Sequence, residues 1–276
     1  MTALTDSLAE GAVQTVLEAG ELLTDPAAVQ SIRSKGETDY VTNVDVAVQA
    51  FLRERLVALA PDVQFMGEEQ DNTGLDWSRP CWILDPVDGT TNLIHSFRHS
   101  AISLALAEGG QVVFGMVYNP YTEECFTARR GGGAFRNGVP IQVSAVSRLE
   151  DSLLSAGTVP GQRELADAAF RQMRALYDRC QDVRRMGCAS LELCDVACGR
   201  LEGYVELSLQ PWDYAAGMLI LAEAGGQVTA PGGAPLSGGG RASVGLQWAA
   251  PQRTANNFER MRVLSWTCAF PPPLGS

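Results

Sequence analysis

Three groups of carboxylates carry the chemical interest of this chain, because each lies at the end of an apolar element. Gly67-Glu68-Glu69 follows Val63-Gln64-Phe65-Met66, and Asp85-Pro86-Val87-Asp88-Gly89-Thr90-Thr91 follows Cys81-Trp82-Ile83-Leu84. Asp213, after Trp212, opens a third apolar stretch. The second group says most. Two carboxylates at the tip of a buried strand suit a hard divalent cation such as Mg²⁺. Gly89 lets backbone approach a ligand, and the two threonines can open a helix whose free N–H groups suit a phosphate. Cation-holding carboxylates beside an anion cradle point to metal-assisted phosphoryl chemistry. The plainer reading of the same string is a turn with capping residues. Glu68-Glu69 alone reads as a surface pair, and Asp213 alone as a helix cap.

The elements that must position these groups alternate in period. Residues 4–23 read as an amphipathic helix with Leu8, Ala12, Val16, Ala19 and Leu23 on one stripe, ended by Asp25-Pro26. Residues 44–60 read as a second helix carrying Val44, Val48, Phe51, Leu52, Leu56 and Leu59, stopped by Pro61. Ser34-Lys35-Gly36-Glu37 between them is a polar loop. Cys81–Leu84 is a continuous apolar run, as expected of a buried strand. Residues 101–107 and 112–118 form a hairpin around Glu108-Gly109-Gly110. Residues 124–128, 134–135 and 141–143 extend an antiparallel meander through glycine-rich turns. Helices are expected over 162–179, 189–198 and 212–224, with strands at 203–207 and 227–229. Gly199 and Gly225-Gly226 stand where helices end. The glycine- and proline-rich residues after 240 show weak periodicity.

Composition narrows the function classes. The 276 residues are 46% apolar and 19% charged, an ordinary globular balance that excludes disorder and collagen-like repeats. The net charge of −11 argues against direct nucleic-acid binding and fits carboxylates gathered around cations. Seven cysteines with no Cys-x-x-Cys pair, and only two histidines, exclude the usual zinc sites. Apolar surroundings for most thiols imply a reducing cytoplasm. No signal peptide or membrane span is read, so the sequence predicts a soluble protein.

Several strings together resemble the inositol monophosphatase family. W-I-L-D-P-V-D-G-T-T-N-L-I-H at 82–95 is similar to its first signature, and W-D-Y-A-A-G-M-L-I-L-A-E-A-G-G at 212–226 to its second. Gly67-Glu68-Glu69 matches the family's Gly-Glu-Glu. Lys35-Gly36 and Asp39–Asp45 resemble its early lysine-to-aspartate segment. G-G-G-A-F-R-N-G-V-P-I-Q-V-S at 131–144 and R-R-M-G-C-A-S-L-E-L at 184–193 read in register. The resemblance runs from about residue 5 to 236. Arg98 departs from a usual proline and Cys188 from a usual Thr or Ser. The stretch after 240 lacks the family's closing strand and helix.

The resemblance implies an α/β (α+β) fold, a layered αβαβα sandwich of helices and two mainly antiparallel sheets. It implies one catalytic domain over 1–240, with sub-regions of about 1–145 and 146–240, and an atypical tail at 241–276. Glu68, Asp85 and the Val87 carbonyl would hold a first Mg²⁺; Asp85, Asp88 and Asp213 a second; Glu68 a third. Glu68 and Thr90 would position the attacking water, with Asp45 hydrogen-bonded to Thr90. Gly89 and Thr90 N–H groups would cradle the phosphate, and Ala189 and Glu206 would line the pocket with Asp88 and Asp213. The implied activity is Mg²⁺-dependent inositol-1-monophosphatase, lithium-sensitive and homodimeric. Related phosphatases of fructose-1,6-bisphosphate, histidinol phosphate or 3′-phosphoadenosine phosphates are the near alternatives. A non-catalytic partner in RNA or transcription complexes is the alternative of another class.

Other motifs point elsewhere and read as decoys. Cys194 to Arg200 has the Cys-x5-Arg spacing of cysteine phosphatases, but lies in a helical pattern beside Asp195, which would repel phosphate. The glycine triplets lack the Lys-Ser/Thr of a P-loop. His95 and His99 are read as surface or packing residues, and Trp82 and Trp212 as core.

Overall fold

Apolar stripes and alternating strands can be buried together only by stacking layers, and this chain stacks five. The computed structural model describes residues 4–25, 31–34, 40–229 and 242–244. In chain order these form α1 (Asp6–Thr24), β1 (Ile32–Ser34), β2 (Tyr40–Thr42), α2 (Asn43–Leu59), β3 (Gln64–Gly67), β4 (Cys81–Asp88), α3 (Thr90–Ile94), β5 (Ala101–Glu108), β6 (Gln111–Asn119), β7 (Glu124–Arg129), β8 (Gly133–Arg136), β9 (Val139–Pro140), β10 (Leu153–Ala156), α4 (Ala166–Tyr177), β11 (Asp182–Arg184), α5 (Ala189–Ala197), β12 (Gly203–Leu209), α6 (Pro211–Glu223) and β13 (Ala242–Val244).

The large sheet runs β3-β4-β5-β6-β7-β8-β9, antiparallel except for the parallel β3–β4 pair. Its two faces differ in side-chain size. Trp82, Leu84, Ile102, Leu104, Leu106, Phe114 and Met116 face α1 and α2, whose stripes of Leu8, Ala12, Val16, Ala19, Val48, Leu52 and Leu56 complete that core. On the other face, Ala105, Gly115, Ala128 and Ala134 stand in one cross-strand row. That row lets α6 approach the sheet backbone: a Cβ on Gly115 would lie 2.8 Å from the Ala216 carbonyl oxygen. With α5, α6 makes the central helical layer. A second sheet, β11-β10-β12-β13, covers it, with Tyr204 of β12 facing inward. Leu154, Ala156 and Val205 on its far side pack against Leu176 of α4.

The layered α/β order is the expected one, with one correction. Among the described strands the second sheet is mostly parallel, since β10 pairs in parallel with both β11 and β12. Three finer expectations also differ. Residues 141–143 are not a strand, because the meander closes one step earlier at β9. Residues 227–229 form only an isolated bridge at Thr229. Leu59 is 45% exposed at the end of α2. Lys35, Gly36, Glu37 and Asp39 lie outside the described residues, as does nearly all of the stretch after 240. Among the described residues no helix is long and apolar enough to cross a membrane.

Candidate active site

Strand β4, second in the large sheet, makes the site. All eight residues of β4 are buried, so Asp85 and Asp88 are carboxylates inside the protein. In a regular strand, residues three apart point to opposite faces. Here Asp85 pairs with Ser103 but Asp88 pairs with Ala101, so β4 carries one extra residue across this interval. The bulge falls between Asp85 and Asp88, where Pro86 has no N–H to give a ladder, and it turns Asp88 back to the face of Asp85. Asp85 accepts the Val87 N–H at 2.9 Å, which fixes the kink. Gly89 then adopts φ +88°, a left-handed conformation that favours glycine, and starts α3. A Cβ there would lie 3.0 Å from the His99 carbonyl oxygen.

Asp213 reaches the same place from the other direction. It is the third residue of α6 and accepts the Gln210 N–H at 2.6 Å. Ser103 Oγ, directly across from Asp85, donates to the Trp212 carbonyl at 3.1 Å. The start of α6 is thereby tied to the strand beside β4. Glu68 follows β3, and its N–H donates to the Leu84 carbonyl at 3.2 Å.

The four carboxylates feel one another. Burial, then Glu68, Asp88 and Asp213, push the Asp85 carboxyl far above its usual range, and Glu68 and Asp85 share a hydrogen bond. Burial, followed by Asp88 and Glu68, does the same to Asp213. Asp88 is raised by burial, opposed by the Ser190 side chain and by N–H donors at the start of α5. The Ser190 N–H donates to it at 2.6 Å, so the positive end of that helix faces this carboxylate. No group of three His, Cys, Asp or Glu side chains among the described residues is arranged so as to hold a metal ion. The chemistry of the donor set nonetheless fits a hard divalent cation: every candidate is oxygen, and mutual repulsion is what a cation would relieve.

Asp45 stands apart from this group and serves Thr90. It is fully buried at the third position of α2, in a capping box with Thr42. The Thr42 N–H donates to it at 2.8 Å, the Thr42 hydroxyl at 2.5 Å and the Thr90 hydroxyl at 3.0 Å. The Val87 carbonyl lies 3.1 Å from the same Thr90 oxygen. Burial raises the Asp45 carboxyl, and these donors pull it back.

Behind the aspartates lies a polar wall that single-residue reasoning reached only in part. Ala189 opens α5, and half-buried Glu206 on β12 accepts the Tyr204 hydroxyl and, at 3.2 Å, the Val159 N–H. Gly157 makes room for it, since a Cβ there would lie 2.0 Å from the Glu206 carboxyl carbon. Glu192, Ser155 and Asn92 were not singled out from the sequence. Glu192 is 1% exposed and accepts the Ser155 hydroxyl at 2.5 Å and the Met186 N–H at 3.1 Å. Burial raises its carboxyl to about 7, and Glu206 and Asp88 add to the rise. Asn92 of α3 donates to the His99 and Met186 carbonyls, each at 2.8 Å, joining α3 to the turn before α5. A Glu inside an apolar helix, as at 192, is the one signal that could have marked this wall.

The decoys resolve. Cys194 is fully buried inside α5, burial holds its thiol far above the usual range, and Arg200 pairs with Glu124 and Asp195. His95 is exposed, and His99 is held low by burial. Trp82 is fully buried, and half-buried Trp212 packs on the same core as α6.

Comparison with known proteins adds four findings. The sequence pattern of the inositol monophosphatase family matches residues 4–261, running past residue 240. The chain is 41% identical over 233 residues to the inositol-1-monophosphatase of Rhizobium meliloti (strain 1021), covering 82% of this chain and 87% of that protein. It is 36% identical to the Nus factor SuhB of Escherichia coli (strain K12) over 79% of this chain and 83% of that one. The crystal structure of the extragenic suppressor protein suhB from Bartonella henselae superposes with a TM-score of 0.83 at 31% identity, covering 96% of this chain and all of that one.

Proposed function

Because the chain belongs to the inositol monophosphatase family, and is with it a phosphatase, we propose that it hydrolyses inositol-1-phosphate to inositol and phosphate at the site built on β4. The observation that carries this reading is the Thr90–Asp45 hydrogen bond beside four mutually repelling carboxylates. Glu68, Asp85 and the Val87 carbonyl would hold one Mg²⁺; Asp85, Asp88 and Asp213 a second; Glu68 a third. Bound Mg²⁺ offsets the charge of a phosphate ester and acidifies water.

The chain's own groups do the rest. Thr90 has one hydroxyl proton and two acceptors in reach, Asp45 at 3.0 Å and Val87 O at 3.1 Å. When the Thr90 hydroxyl donates its hydrogen bond to Asp45, the Thr90 oxygen turns its lone pairs to a water and the Val87 carbonyl is left free. Glu68 accepts the second proton of that water, so the attacking lone pair is aimed. Gly89 and Thr90 N–H groups, at the open end of α3, meet the phosphate oxygens. Glu206 accepts substrate hydroxyls, with Ala189 leaving room beside them.

The finer attributes follow the same reading: Mg²⁺ as the ion, inhibition by Li⁺, a homodimer, and a cytoplasmic setting, the last supported by unpaired thiols at the six described cysteines. Residues 1–240 are read as one catalytic domain in two sub-regions, with 241–276 as its tail. The test is phosphate release from inositol-1-phosphate and a panel of other esters, with Mg²⁺, with chelator, and with Mg²⁺ plus Li⁺. Turnover that requires Mg²⁺, falls with Li⁺ and is fastest on inositol-1-phosphate is expected. A folded protein that releases no phosphate from any ester would overturn the reading. The likeness to proteins named Nus factor SuhB favours a second reading, a partner role in transcription complexes. Recovery of polymerase components by the full chain, without turnover, would establish it instead.

A further inference from the structure

Gln49 lies one helical turn beyond Asp45 on α2, and both side chains are buried on the same face. Asp45 holds Thr90. Gln49 holds something else: its Oε1 accepts the Glu69 N–H at 2.9 Å. The fit is close, because a Cβ on Gly67 would lie 2.4 Å from that same oxygen. Gly67 is therefore bare where Gln49 enters. The peptide on the other side of Glu68 is held by β4, through the Glu68 N–H to the Leu84 carbonyl. Asn72 closes the turn by bonding both the N–H and the carbonyl of Gly67. Glu68 thus sits between two anchors, one on the sheet and one on α2.

We propose that Gln49 is a positioning residue of the hydrolytic site, fixing the turn that carries Glu68 to the same helix that holds Thr90. The proposal rests on the reading of Glu68 and Thr90 given above. One rigid helix then sets the spacing of the two groups that aim the water, through side chains 45 and 49. Without the Gln49 contact the Glu68 turn loses its tie to α2 while the β4 and Asn72 bonds remain, and both cation affinity and water alignment loosen. A misplacement of this kind costs on the order of 10-fold or more in turnover.

The experiment compares Gln49→Leu, which removes the acceptor, with Gln49→Glu, which keeps an acceptor oxygen at the same reach. Two readouts are taken on the full chain: kcat against Mg²⁺ concentration, and the rise in melting temperature on titrating Mg²⁺ without substrate. Gln49→Leu is expected to lower kcat about 10-fold and to move the Mg²⁺ midpoint of the melting shift several-fold upward. Gln49→Glu is expected to stay within about twofold of wild type in both, since its carboxylate also accepts the N–H. Gly67→Ala strikes the same contact from the other side and stands in if Gln49→Leu does not fold. Wild-type midpoints in a folded Gln49→Leu or Gly67→Ala protein would overturn the proposal, as would equal damage from Leu and Glu. Glu68→Gln separates the two levels: if it retains full turnover, the reading of Glu68 fails, whereas its inactivity beside a normal Gln49→Leu leaves that reading standing and removes Gln49 alone.

Discussion

Replacing Glu192 by Gln should flatten the pH dependence of stability between pH 4.5 and 7. Glu192 is 1% exposed, and burial is the main cause that lifts its carboxyl from an ordinary 4.5 to about 7. A raised folded-state value means the folded protein binds the proton more tightly than the unfolded chain. The stabilisation is therefore complete below about pH 4.5 and is lost as pH rises through 7. At 1.36 kcal/mol for each pH unit, the loss comes to about 3 kcal/mol. Gln keeps a carbonyl oxygen that accepts both the Met186 N–H and the Ser155 hydroxyl, which meet the same Glu192 oxygen. It carries no titration. The assay is urea unfolding at half-unit pH steps, with chelator present so that cation binding does not enter. Subtracting the two curves isolates this residue from Asp88 and Glu206, which titrate in both proteins. A difference that grows with pH by about 3 kcal/mol in favour of Gln supports the argument. Parallel curves would refute it, and would mean that the Ser155 and Met186 donors hold Glu192 ionised at no cost.

Asp88→Asn should abolish turnover, at least 100-fold, while raising metal-free melting temperature at pH 7, because a buried charge among like charges is removed; unchanged activity would sink the ligand assignment. Gly157→Ala should raise KM for inositol-1-phosphate about 10-fold and cost about 1–3 kcal/mol in urea unfolding, since its Cβ displaces Glu206; a wild-type KM would remove Glu206 from the substrate wall. Cys194→Ser should keep kcat within about twofold and lose about 1 kcal/mol of stability. Complete loss of turnover in a folded Cys194→Ser protein would restore the thiolate reading.

What could be read from the sequence was whatever repeats locally or sits at an element's end. The α1 stripe, the β5–β6 hairpin and the glycine that ends α5 each carry a short-range signal. Asp85, Asp88 and Asp213 were legible as candidates because each stands at the end or start of an apolar run inside a string that resembles a family signature. The partners of these groups were not. Gln49 and Ser155 act across 20 and 37 residues of chain, and each looks locally like an ordinary helix or strand residue. Parallel pairing in the second sheet escaped for the same reason. β10 and β11 are four and three residues long, and nothing in so short a run says which neighbour it will meet. The bulge on β4 was hidden too, since a strand's register belongs to the pair and not to either sequence.

That bulge separates two kinds of tolerance to sequence change. Substitution at Pro86 or Val87 alters a side chain, but deletion of either would restore an even count between Asp85 and Asp88 on the partner strand. Asp88 would still share the face of Asp85, but the bulge would be gone, and with it the Val87 N–H bond to Asp85 and the Val87 carbonyl at the Thr90 hydroxyl. The connection over 73–80, by contrast, joins the Glu68 turn to β4 outside the paired residues and can change length without shifting that count. Insertions and deletions that leave the chemistry intact should therefore collect before Cys81 and be absent from 85 to 88, whatever residues occupy those positions.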